Sequence, residues 1–371
     1  MKTHKKKITV IFSLLFLFIA AGCASPTTKQ IMVDDVAAAV EAQKQREIAF
    51  EMWADNRNRL NNVAYNIYTS SVPLCEDKTS FSTGIDVVNK YSFSEKMRET
   101  AVALFDVSDA LQIIHVIEGS AAEKAGINNG DFPIEINGWI VPEGEGAAGE
   151  FMEQLKEARQ DGETISMKIS SDSSKKVIDI TPDRICDYEI HLTNDDIVNA
   201  FADGKTVVIT RGMMRFTDSD TELALVVSHE LAHNVMEHID AKTQNYILGS
   251  IFDIAASVYG IDTQGMFGRM GANAYSKEFE AEADYVGLYM MALAGLDIEK
   301  APNFWRRMAA IHPGSIESSH ASTHPATPYR FVALEKTVKE IQRKIIAGEP
   351  ITPDLKTDII FDKEIDDPYD Y

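Results

Sequence analysis

Ser219-Asp220-Thr221-Glu222 opens a stretch that continues through Leu223, Leu225, Val226 and Val227 into Ser228-His229-Glu230-Leu231-Ala232-His233. A serine followed three residues on by a glutamate has the form of a capping box, so a helix begins here, and the apolar run makes it a buried one. His229 and His233 are four residues apart and share one face of that helix, where both imidazoles can reach a single ion. Zinc takes nitrogen ligands at about 2.0–2.1 Å, and Glu230 projects beside the pair, able to accept a proton from water. The plainer alternative is a buried helix whose histidines only satisfy core hydrogen bonds, and the motif by itself does not exclude it.

A catalytic zinc keeps three protein ligands and one open position, so a third donor is required. Further along, Phe279-Glu280-Ala281-Glu282-Ala283-Asp284-Tyr285-Val286-Gly287 leads into Leu288, Met290, Met291 and Leu293. Glu280 and Asp284 share one face of this second apolar helix, and two acids on a hydrophobic helix call for a buried positive partner, which a metal centre supplies. Glu282 is the competing ligand; two residues from Glu280 it points elsewhere on the helix, so Glu280 is preferred. Asp284 then hydrogen-bonds a ligand imidazole and fixes its tautomer.

His-Glu-x-x-His followed by Glu-x-x-Ala-Asp resembles the zinc metallopeptidases of family M48, a group that includes prenyl-protein proteases, heat-shock proteases and periplasmic assembly-quality peptidases. The resemblance implies one Zn2+ per chain held by His229, His233 and Glu280, with Glu230 as general base and Asp284 as second catalytic acid, a role compatible with orienting an imidazole. It covers roughly residues 184–340, with upstream Asn199 to Gly204 and downstream Thr323-His324-Pro325-Ala326-Thr327-Pro328-Tyr329-Arg330. It also implies that Thr206, Val207, Val208, Ile209 and Thr210 form an edge strand to which substrate main chain adds. The His-Pro segment would lie over the cleft, with His324 a displaceable fourth ligand or an oxyanion donor. Arg330 either pairs with cleft carboxylates or lies on the surface, and His238 reads as a helix-end cap. The membrane-spanning helices of the prenyl-protease and heat-shock branches have no counterpart, since Tyr246 to Ala274 contains Asp253, Asp262 and Arg269.

Between the early helices and this half, Leu111 to Ile117 is strand-like, followed by Gly119-Ser120-Ala121-Ala122, Ala125-Gly126-Ile127, Gly130-Asp131 and Ile136-Asn137-Gly138. That series resembles a PDZ domain, with Glu150 to Arg159 as its second helix and Ile165 to Ile169 and Lys176 to Ile180 as closing strands. A PDZ domain adds an extended peptide to a sheet edge, reading tails rather than folded surfaces. Asp109-Ala110-Leu111-Gln112 stands where a Gly-Leu-Gly-Phe carboxylate loop is usual, so the residues gripping a terminus stay open. Ahead of the insertion, Asp34 to about Ser70 has apolar residues at helical spacing: Val40, Ile48, Phe50, Met52, Leu60 and Val63.

At the start of the chain Lys2, Lys5, Lys6 and Lys7 precede an uncharged run from Ile8 to Ala21, a signal peptide rather than a span. Ala20-Ala21-Gly22-Cys23 resembles a lipobox, although Ala20 stands where a large aliphatic residue is usual; it implies a lipid anchor on Cys23, and Ala24 favours the outer membrane. Cys75 and Cys186 remain, an even pair flanking the insertion in a compartment where disulfides persist, and are expected to be bonded; two buried free thiols are the alternative. A net charge of -21 argues against nucleic acid as a partner. The expectation is an α+β chain: signal 1–22, linker and helices 23–105, PDZ domain 106–183, mainly helical gluzincin-type catalytic domain with a small sheet 184–345, and acidic tail 346–371. Its expected function is a lipid-anchored, periplasm-facing zinc endopeptidase acting on unfolded or misassembled envelope polypeptides. The alternative is a chaperone or adaptor that binds client tails through its PDZ edge with little cleavage.

Overall fold

Phe50, Leu60, Val63, Ala64 and Ile67 are buried along α1 (Asp35–Ser70). Ile48 and Met52 flank Phe50 at two residues, about 200° around the helix, and both are exposed, as is Val40, rather than core-facing as their spacing predicts. The structure is a computed structural model and describes residues 27–171, 174–258, 261–273, 276–311 and 328–356. Cys23, His324 and most of the acidic tail lie outside the described residues. The chain divides into the units Met1–Glu47 and Ile48–Tyr371. Among described residues the first holds the exposed start of α1, and the elements that follow belong to the second.

After α1 come β1 (Thr79–Ser82), β2 (Ile85–Val88), α2 (Glu95–Phe105), β3 (Gln112–Val116), α3 (Ala121–Lys124), β4 (Phe132–Ile136), β5 (Trp139–Ile140), α4 (Ala147–Arg159), β6 (Ile165–Ser171) and β7 (Ser174–Ile180). An antiparallel sheet runs β5-β4-β6-β7, and β2 pairs with β3. Ile165, Met167 and Ile169 alternate inward along β6 and meet Phe151 and Leu155 of α4, so one sheet face and one helix stripe make a core of their own. Ile85 and Val87 are part of that core, which therefore reaches upstream of residue 106: the β2–β3 pairing is a long-range contact that local spacing around Val116 does not reveal.

Next, β8 (Asp183–Cys186) returns antiparallel to β1, with Cys186 opposite Thr79. Cys75 and Cys186 are disulfide-bonded across a Cα–Cα distance of 5.7 Å, joining the chain where it enters and leaves this module. A second sheet combines β9 (Glu189–Thr193), β10 (Ala200–Ala202) and β11 (Thr206–Thr210) in the order β10-β11-β9. Thr206 to Thr210 is thus the central strand, antiparallel to β10 and parallel to β9, and not an edge open to substrate. The unbroken run Val207-Val208-Ile209, buried throughout, is the pattern of a strand covered on both sides. Among the described residues the edges belong to β9 and to the short β10, where Phe201 is exposed.

The remainder is helical: α5 (Arg211–Phe216), α6 (Asp220–Val235), α7 (His238–Val258), α8 (Met266–Asn273), α9 (Ser276–Leu293), α10 (Ala301–Ile311) and α11 (Pro328–Ala347). Ser219 caps α6 by accepting from the Glu222 N–H, while the Glu222 carboxylate accepts from the Asp218 N–H. Every residue from Leu223 to Asn234 is buried, so α6 is the axis of the larger core, shared with α1, α9, α10 and α11. Among the described residues no helix is long and apolar enough to cross a membrane.

Candidate metal centre

His229 and His233 lie one turn apart on α6, with their Nε2 atoms 3.3 Å from one another. Facing them, α9 brings Glu280 to 3.5 Å from His229 Nε2 and 3.4 Å from His233 Nε2. One ligand atom from each of the three falls within 4.8 Å of the others, and all three residues are buried. Two imidazole nitrogens and a carboxylate oxygen suit a divalent transition metal and leave a position open for a further ligand.

The electrostatics point the same way. Burial alone would lower the His229 imidazole, yet hydrogen bonds to Asp284 and Glu280 push it up to about 9, so the pocket favours positive charge there. Asp284 Oδ1 stands 3.1 Å from His229 Nδ1 and leaves Nε2 for the ion side. Burial would raise the Asp284 carboxyl, but the Arg330 guanidinium holds it below the usual carboxylate range. Arg330 Nε and Nη2 donate to the two Asp284 oxygens at 2.7 and 2.8 Å, and Nη1 lies 3.3 Å from Glu280 Oε2. Of the two placements open to Arg330, the structure has the buried one, against cleft carboxylates and over the Trp305 ring, which itself packs on His229. Glu230 is buried beside His229 on α6.

Two positions that sequence reading missed set this geometry. Gly287 lies seven residues after Glu280 on the same face of α9, and a Cβ there would stand 3.2 Å from His229 Cα and N. The missing side chain lets α9 approach the α6 backbone and deliver both acids; a glycine one turn beyond Asp284 was the available signal. Gly287→Val is expected to cost about 1–3 kcal/mol through overpacking and to weaken metal binding, as read by thermal unfolding and metal stoichiometry. Asn234 is the second: its side chain accepts from Gly204 N–H and donates to the Thr206 carbonyl, pinning the β10–β11 turn to α6. Glu282, the competing ligand, turns away from the cluster to His238 at 3.0 Å. His238 is fully buried and bonded to His233, so it is part of the centre's surroundings and not a simple helix cap.

Residues 165–338 match Peptidase family M48. Mitochondrial metalloendopeptidase OMA1 of Schizosaccharomyces pombe is 30% identical over 179 residues, covering 46% of this chain and 52% of that protein. The Beta-barrel assembly-enhancing protease of Yersinia pestis is 29% identical over 137 residues, covering 33% of this chain and 28% of that protein. The chain thus spans about half the length of these curated relatives or less. A crystal structure of the HtrA3 PDZ domain bound to a phage-derived ligand aligns at TM-score 0.22 and 16% identity, covering 29% of this chain and 88% of that one.

Proposed function

We propose, from the match of residues 165–338 to Peptidase family M48, that the chain is a zinc-dependent endopeptidase of the cell envelope, acting on unfolded or misassembled envelope polypeptides. The observation that carries this reading is the convergence of His229, His233 and Glu280 on one buried point between α6 and α9. Relatives named as metalloendopeptidases and as a β-barrel assembly-enhancing protease support the reaction class and the compartment. A lipid anchor on Cys23 and capture of client tails at a sheet edge of the PDZ-type module complete the proposal.

When bound, zinc supplies a Lewis acid that polarises a carbonyl and lowers the pKa of water to about 7. His229, His233 and Glu280 would hold it, and Asp284 would fix the His229 ring so that Nε2 carries the lone pair. Glu230 takes the proton of the attacking water on its carboxylate and returns it to the leaving amine. Arg330 neutralises the paired acids of α9, which keeps two carboxylates tolerable in a buried cleft. An extended substrate adds at the edge that β10 leaves unpaired among the described residues, a strand that Asn234 ties to α6, rather than at β11.

The test is zinc stoichiometry together with casein cleavage for wild type, His229→Ala and Glu280→Gln. One zinc per chain and cleavage are expected in wild type, and loss of both in His229→Ala. Full zinc content and activity in Glu280→Gln would remove Glu280 from the ligand set.

A further inference from the structure

His233 needs a lone pair on Nε2 to serve as a ligand, so its proton must sit on Nδ1 and find an acceptor there. The atom facing it there is His238 Nδ1, 2.9 Å away. A His238 ring that accepts at Nδ1 carries its own proton on Nε2, and Nε2 lies 3.0 Å from Glu282 Oε2. Each atom in the series has one role, and the roles agree from end to end. We infer that Glu282 and His238 form a positioning relay that fixes the tautomer of His233 and raises the basicity of its ligand nitrogen. The inference rests on the metal-centre reading above.

The fold is built to hold this arrangement. Between α6 and α7 the backbone passes through Glu237 at φ 55°, a left-handed conformation that a non-glycine residue adopts at a cost. That turn brings His238, the first residue of α7, back against His233 only five positions earlier, in buried ring-to-ring contact. Phe279, one residue before Glu280 on α9, stacks on the His238 ring at 4.7 Å and sets its plane. Glu282 lies on a different face of α9 from Glu280, its side chain 38% exposed. The same helix thus supplies a ligand from one face and the relay's terminal carboxylate from another. The two histidine ligands are oriented by different means: His229 directly by the buried Asp284, His233 through an intervening imidazole whose carboxylate meets solvent.

The relay is tested by the zinc dissociation constant, measured by competition with a chromophoric chelator, and by thermal unfolding of the metal-free protein. His238→Phe keeps a ring against Phe279 but removes the acceptor, and is expected to weaken zinc binding about 10–100-fold with metal-free unfolding little changed. His238→Asn, whose amide oxygen accepts from His233 Nδ1–H, should recover most of that loss. Glu282→Gln, which keeps a hydrogen bond without the charge, should fall between. A folded His238→Phe protein with wild-type affinity, alongside a His229→Ala protein that has lost zinc, overturns the relay alone. If His238→Phe does not fold, Glu282→Ala on the half-exposed side chain decides, and unchanged affinity there overturns it too. Wild-type protein that binds no zinc, or His229→Ala protein that binds it normally, overturns the metal centre and the relay with it.

Discussion

Glu230→Gln is expected to abolish cleavage of an unfolded protein substrate while one zinc per chain stays bound. The substitution is close to isosteric and leaves His229, His233 and Glu280 in place, so the ligand set on α6 and α9 survives. What is lost is the only role the proposal gives Glu230, accepting a proton from the attacking water and delivering it to the leaving amine. General acid–base groups of this kind contribute about 10²–10⁴-fold, and a group used in both proton transfers belongs at the upper end of that range. Cleavage assayed with casein and zinc counted by mass spectrometry on the same preparation separate a lost base from a lost metal. The substitution also separates enzyme from adaptor: a protein that works by binding client tails would keep its envelope phenotype as Glu230→Gln, whereas a protease would not. Cleavage at the wild-type rate would remove Glu230 from the mechanism.

Much of this centre was legible in the sequence because its geometry is local. Four-residue spacing on a helix decides that His229 and His233 face one way and that Glu280 and Asp284 do, and the capping serine locates where α6 starts. Helical phase and the family resemblance both favour Glu280 over Glu282, and the distances to both histidines agree with that choice. What could not be read depends on contacts between segments distant in the chain. The sequence leaves Arg330 two placements, and only the fold decides that its guanidinium reaches back to α9; nor does periodicity in Ile85-Asp86-Val87 announce a strand paired with Gln112–Val116. The strand Thr206–Thr210 is the instructive error. Resemblance suggested an edge, but three consecutive apolar β-branched residues already described a strand flanked on both sides. Conversely, His238 and Glu282 were each read singly, as a cap and as a rival ligand. Only the αL turn at Glu237 and the approach of α9 to the first residue of α7 make them partners.

Removing the Cys75–Cys186 bond is expected to produce the largest loss of stability of any change away from the centre. The two sulfurs close a loop with a sequence separation of 111 residues, and for loops of that size the chain-entropy account gives roughly 4–5 kcal/mol as an upper figure. Both cysteines are buried, and the bond ties the segment before β1 to the end of β8, where that hairpin-like pair closes the module between them. A Cys75→Ala/Cys186→Ala protein should therefore unfold on the order of 10 °C lower in a thermal scan, and reduction of wild type should reproduce the shift. Zinc stoichiometry well below that transition should stay at one, because no ligand lies within the closed loop and the α6–α9 contact is made by other residues. The pairing of results matters: a lowered transition with intact zinc means the bond acts on the unfolded chain and on the join between module and catalytic part, while loss of both would mean it shapes the centre itself. An unchanged transition, with both thiols of wild type open to alkylation, would mean that the bond does not form in the protein. The same bond also bears on compartment, since a stabilising disulfide of this size persists in an oxidising envelope and not in a reducing cytosol. Protein made without oxidation should accordingly show the lower transition and regain the higher one when the thiols are oxidised.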